Sequence, residues 1–151
     1  MQRDDSIAED WLTTRLASSL GYAGAAFIPL LFAVAVIDAD FLPVARRLTA
    51  IYGAVILAFL GGIQWGLALK SRIPRIRLRR LVASVMPSLW SVAALTTSIN
   101  LSCLVLSVGF AGLLVYEYLE RGDDVYPLWY LPLRLRLTAF ITVGLAGSLL
   151  V

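Results

Sequence analysis

Four tracts of this chain contain no Asp, Glu, Lys or Arg: Leu16 to Ile37, Leu48 to Leu69, Leu81 to Tyr116 and Leu137 to Val151. A helix needs about 20 such residues to cross a hydrocarbon core of about 30 Å. The third tract would reach roughly 54 Å as one helix, so it must fold back once. The expected fold is an all-α integral membrane bundle of five transmembrane helices, with approximate spans 17–37, 48–69, 81–97, 101–119 and 132–151. These form a single transmembrane domain over 17–151. The composition agrees: 60% of residues are hydrophobic and 15% charged, where soluble domains are about 45–50% apolar.

Residues 1–16 carry four acids against one arginine in the first ten positions, the wrong charge for a signal or transit peptide, so this segment is expected to stay on the mature protein. Ser6 and Glu9 fit a capping box, and Ile7, Trp11, Leu12 and Leu16 follow at helical spacing. Two readings stand: a short amphipathic helix at the cytoplasmic interface anchored by Trp11, or a helical extension of span one.

Cations settle the expected orientation. Two lie in the N-terminal segment, six at Lys70, Arg72, Arg75, Arg77, Arg79 and Arg80, and three after span four, whereas the opposite side has only Arg46 and Arg47. The positive-inside rule then puts the N-terminus in the cytoplasm and, after five spans, the C-terminus outside. The location implied is a bacterial inner membrane. The pI near 9.4 follows from these loops rather than from nucleic-acid binding, and Lys70 to Arg80 is a candidate contact for anionic headgroups. Asp38 and Asp40, near Pro43 on the other side, read as markers of the interface.

There is no histidine and one cysteine, Cys103. Histidine-held haem, copper or zinc, cysteine-held clusters and intrachain disulfides are therefore excluded. No metal site and no cofactor is predicted; the class left open is a bound lipid or a quinone-like ligand.

Span two, YGAVILAFLGGIQWGLAL, carries Ala54, Ala58, Gly62 and Gly66 every four residues, a stripe on which a second helix could press closely. This stripe is expected to serve internal packing, so that Gly62→Leu unfolds the bundle. Gly61, Gln64 and Trp65 are then the candidate contact for a ligand or partner, with Gln64 offering an amide and Trp65 a flat surface. Thin patches recur at Gly21 and Gly24, Gly109 and Gly112, and Gly144 and Gly147. Pro29 should kink span one. In span three, Ser84, Ser88 and Ser91 surround Pro87, where a hydroxyl can bond the carbonyl that the proline leaves free. The uncharged turn at Ser98, Ile99 and Asn100 predicts a tight hairpin between spans three and four.

The last span must begin early, drawing Arg134 and Arg136 towards the interface, with Pro132 in its first turn and Trp129 and Tyr130 as an aromatic belt. Together with Glu117, Glu120, Asp123 and Asp124 these form a polar cluster at one end of the hairpin of spans four and five. Ion pairing such as Glu117 with Arg134 is the favoured reading, and phosphate capture by Arg134 and Arg136 with a divalent ion on the acids is the sharper alternative.

YGAVILAFLGGIQWGLAL and PLWYLPLRLRLT, with the five-span layout, resemble the small membrane proteins related to transmembrane protein 69, a family of undefined biochemical activity found in bacteria and mitochondria. The resemblance covers nearly the whole chain and marks Gly61, Gly62, Trp65, Gly66, Pro127, Trp129, Tyr130, Arg134 and Thr138 as characteristic. It implies fold and membrane location and carries no reaction.

Nothing in the spacing singles out a nucleophile or a base, and catalytic residues are therefore none. The expected function is non-catalytic: an accessory or assembly subunit of a larger, possibly bioenergetic, membrane complex, acting through a membrane-protein partner or a homo-oligomer. The alternatives are a small lipid or solute transporter and a lipid-modifying enzyme.

Overall fold

In a computed structural model of the chain, residues 2–120 and 126–149 are described, with side chains from residue 11 onward. Among them are six α-helices and no strand: α1 Gln2–Ala25, α2 Phe27–Ile37, α3 Leu42–Lys70, α4 Pro74–Leu95, α5 Ile99–Leu119 and α6 Tyr130–Gly147. Three stretches are long and apolar enough to cross a membrane by length and composition: Trp11–Ile37, Ala39–Lys70 and Ile99–Leu119. The remaining two, α4 and α6, carry their arginines within or just before the apolar run, which lowers their hydropathy without shortening the helix.

One helix runs from Gln2 through Ala25, so residues 2–16 are continuous in backbone with those that follow, and the capping pair Ser6 and Glu9, with Ile7, lies outside the described side chains. Arg15 stacks over the half-exposed Trp11 ring, 4.4 Å from its centroid. The interruption falls at Ala26. Pro29 has no N–H to give to the Ala25 carbonyl, and the helix breaks at the residue beside that carbonyl.

A single 3₁₀ turn, Ala39–Phe41, then reverses the chain, with the Asp38 side chain accepting from the Asp40 N–H at 3.1 Å. Pro43 and Pro74 sit in the first turns of α3 and α4, where a missing donor costs nothing. Both helices therefore start several residues before the apolar tracts that announced them. Residues 96–98 close the expected α4–α5 hairpin, which the Trp90 indole fastens by donating to the Val105 carbonyl at 2.7 Å.

The centre of the bundle is α3, which packs against α2, α4, α5 and α6. Its inner face is Gly53, Ala54, Leu57, Leu60, Gly61, Gln64 and Ala68, an alternation of three- and four-residue steps that keeps to one side of a 3.6-residue helix. Leu57, Leu106, Phe110 and Leu145 fill the core around it. Two hydroxyls cross between helices, Ser91 donating to Ala54 O at 3.0 Å and Tyr52 to Gly24 O at 2.8 Å. The buried Cys103 sits with its Sγ 3.1 Å from Ser148 Oγ.

The structure corrects the expected packing stripe. Ala54 is buried, but Gly62 and Gly66 are exposed, with nothing within 4 Å of where a Cβ would stand. Gly61 is the packing glycine instead: a Cβ there would lie 2.5 Å from the Ser84 carbonyl oxygen and 3.2 Å from the Pro87 ring. The reason is rotation. Each four-residue step advances about 40° beyond a full turn, so Ala54, Ala58, Gly62 and Gly66 wind off the buried face.

The serines of α4 also differ from expectation. The carbonyl freed by Pro87 is that of Ala83, yet Ser84 donates to Leu81 O and Ser91 to Pro87 O and Ala54 O. Ser91 thus serves the α3–α4 contact rather than the proline gap.

Candidate functional site

At the end of the bundle where α5 finishes and α6 begins, polar side chains from three helices meet inside an apolar core. Gln64 comes from α3, Glu117 from the last turns of α5, and Arg134 and Thr138 from α6. Gln64 and Glu117 are 0% exposed, Arg134 3% and Thr138 5%. Charges at such depth cost several kcal/mol each unless paired and hydrogen-bonded.

The geometry provides that pairing. Arg134 Nε donates to Glu117 Oε2 at 2.9 Å, and its Nη1 to Thr138 Oγ1 at 3.2 Å. The other carboxylate oxygen, Oε1, accepts from the Tyr130 hydroxyl at 2.9 Å and from Gln64 Nε2 at 3.2 Å. Glu117 thus has three donors from two other helices. The Gln64 amide faces Tyr126 OH from both ends, Nε2 donating to it at 3.0 Å and Oε1 lying 3.2 Å away as acceptor. Tyr126 and Tyr130 stack in parallel, centroids 4.8 Å apart, and Trp129 meets Tyr130 edge-on at 6.2 Å. Burial pushes the Tyr126 phenol up to about 12, so it remains protonated and able to donate. Arg134 Nη2 is buried without a partner.

The sequence-predicted polar cluster is thereby divided. Glu117, Tyr130 and Arg134 enter the buried site. Glu120 turns the other way, to Arg79 at 2.6 Å and Arg80 at 3.6 Å, and Arg136 is exposed. Asp123 and Asp124 lie outside the described residues. Tyr130, read as part of an interfacial belt, points its hydroxyl inward because Glu117 is there to receive it. The basic run is partly engaged by the chain itself: Arg79 and Arg80 hold Glu120, and Arg77 donates to Ser71 O at 3.1 and 2.8 Å.

Of the expected ligand contact, Gly61 and Gln64 are buried and Trp65 is 48% exposed on a different face, so the three do not form one surface. The apolar cavity nearest in character to a slot for a flat or chain-like ligand lies between α4 and α5. It measures about 320 Å³ and is lined by Met86, Trp90, Gly109, Gly112 and Tyr116.

Tyr126 is the site residue that the sequence reading missed. Its signal is spacing: Tyr126, Tyr130, Arg134 and Thr138 fall every four residues, a polar ladder on the approach to and first turns of α6. Among the described residues, no group of three or more Cys, His, Asp or Glu could hold a metal ion. Every donor into Glu117 is a fixed side chain, so the arrangement works as a polar clamp of α3, α5 and α6.

The stretch that contains this clamp is also what the chain shares with known proteins. Residues 13–150 match a family described as Protein of unknown function (DUF3429). The chain belongs to this family. Within DUF3429 terms, the match takes in every residue of the clamp and the whole of α2 to α6. Two curated relatives carry the name Transmembrane protein 69. The one from Xenopus tropicalis is 32% identical over 102 residues, 66% of this chain and 40% of the relative. The one from Mus musculus is 36% identical over 112 residues, 71% of this chain and 45% of the relative. The chain thus spans less than half the length of these relatives. No solved structure matches it. With its apolar helices, this DUF3429 chain is a multi-pass membrane protein.

Proposed function

We propose that this protein is a non-catalytic accessory or assembly subunit that docks another membrane protein onto the outer face of α3. The observation that carries the reading is the face itself. Ile51, Val55, Phe59, Trp65 and Leu69 are exposed along α3, and between Phe59 and Leu69 the two exposed glycines, Gly62 and Gly66, have open space above them. Small residues let a second helix approach closely within lipid, and the aromatic rings on either side would frame it. The bundle does not use these glycines for its own packing, which leaves them available to a helix from outside.

The proposed setting is a bacterial inner membrane crossed five times, by α1–α2, α3, α4, α5 and α6, with the N-terminus cytoplasmic and the C-terminus outside. The support is the count of eleven cations on one side against Arg46 and Arg47 on the other. Cysteine-accessibility labelling at each loop tests the orientation. Mild-detergent purification followed by native mass spectrometry tests the function: a second membrane protein, or a second copy, should stay bound. A strictly monomeric chain with no partner overturns it.

One observation favours a second reading, a small lipid or solute transporter. Glu117 is an ionisable group wholly buried in an apolar bundle, and such groups often mark transport paths. Liposome flux lost in Glu117→Gln, with folding retained, would support transport. The lipid-modifying enzyme has less support, since Arg134 is buried and turned to Glu117 and Thr138 rather than presented to a headgroup.

A further inference from the structure

At the opposite end from the clamp, a cavity of about 570 Å³ opens between the start of α3, the end of α4 and the start of α5. Its lining divides by chemistry. Arg46, Arg47, Thr97 and Ser102 supply polar groups, while Ile51 and Leu95 are among the apolar residues of the remaining wall. Arg46 and Arg47 are the two cations that the orientation count assigns to this side of the membrane, and both line the same cavity.

Three details give this cavity an unmet demand for a negatively charged oxygen ligand. Arg46 is held by its Nη2 donating to Asn100 Oδ1 at 2.5 Å, which leaves its Nε buried without a partner. Ser102 is 2% exposed and its Oγ also lacks a partner. A buried hydroxyl or guanidinium nitrogen with nothing to bond is costly, and since both residues line the cavity, a side-chain rotation towards a bound acceptor would relieve them. Finally, α5 begins here: Ser98 makes no side-chain cap, and Ile99 in the first turn lines the cavity. The uncapped N–H groups and the positive end of the helix favour an anion at this position.

We propose that this cavity binds a phosphate group carried by an amphiphile, with the phosphate between Arg46, Arg47 and the start of α5 and the apolar part against Ile51 and Leu95. Arginine suits phosphate because its planar fork offers several donors at once. This site shares Ile51 with the near end of the α3 docking face but none of Val55, Phe59, Trp65 or Leu69, and it stands whether or not a partner protein exists.

The test is thermal unfolding of the full chain in a nonionic detergent, with phosphatidylglycerol, phosphatidylcholine, glycerol 3-phosphate or inorganic phosphate added. Phosphatidylglycerol should raise the unfolding temperature, and the rise should be lost in Arg46→Gln/Arg47→Gln. Because Arg46→Gln also breaks the Asn100 bond, Ser102→Ala is the second variant: it should fold with unchanged or higher ligand-free stability, yet show a smaller rise. An equal rise with glycerol 3-phosphate or inorganic phosphate overturns the amphiphile and reassigns the cavity to a soluble phosphate ester or ion. An equal rise with phosphatidylcholine supports it and shows that the phosphodiester suffices without net lipid charge. A rise that persists undiminished in both variants places the lipid elsewhere, as at Lys70 to Arg80, and overturns the proposal, as does the absence of any rise.

Discussion

Gly61 and Ser84 bring two helix backbones into contact: a Cβ on Gly61 would stand 2.5 Å from the Ser84 carbonyl oxygen. The obstacle is backbone, held in place by the Pro87 ring on the next turn of α4, so neither side can yield. Gly61→Ala should therefore destabilise the bundle by about 1–3 kcal/mol, the usual cost of overpacking. Gly62→Ala, facing open space, should be neutral or gain up to about 1 kcal/mol from helix propensity. Unfolding in detergent, monitored by circular dichroism, measures both; equal losses would contradict the assignment.

Among the described residues, Glu117 is the one carboxylate paired with Arg134. Removing one partner leaves the other charged in an apolar interior, so Glu117→Gln and Arg134→Met should each cost about 3–5 kcal/mol. The double variant should recover much of that loss. Purely additive losses in this cycle would mean that the pair does not act as a unit.

Substitution on the outer face of α3 should separate folding from assembly. Gly62→Leu and Trp65→Ala are expected to keep the unfolding temperature of the isolated chain while reducing the partner retained in mild detergent. Native mass spectrometry reads the second effect. Loss of folding in Gly62→Leu would instead restore the sequence-based expectation that this glycine packs internally.

The Tyr126 phenol gives the clamp an alkaline limit. Its folded value, near 12, lies above the ordinary value of 10.0 because burial disfavours the phenolate. A group raised in this way contributes stability in full below about pH 10 and loses it as pH rises towards 12. The unfolding temperature should fall more steeply over that interval in the natural chain than in Tyr126→Phe. Parallel slopes would show that Tyr126 is not buried against Gln64.

Much of this architecture is legible in the residues alone. Uncharged tracts identify the helices, because in lipid a backbone must satisfy its own hydrogen bonds and a helix does so locally. Pro29 announces the break at Ala26, and the uncharged turn at Ser98 announces the α4–α5 hairpin. Glu117 with Arg134 could be paired in advance because two opposite charges at the ends of adjacent apolar helices have few other ways to lower their cost.

The sequence by itself determined which segments are helical, that the chain belongs in a membrane, and that its stray charges need one another. Tertiary structure alone decided which way each helix faces. The four-residue stripe from Ala54 to Gly66 and the neighbouring line through Leu57, Gly61, Gln64 and Ala68 are both plausible packing faces on paper, since each offers small residues at helical spacing. In lipid the outer environment is as apolar as the interior, so hydrophobicity cannot break that tie. It is broken by Ser84 and Pro87 against Gly61, and by Glu117 reaching for Gln64, contacts between residues far apart in the chain.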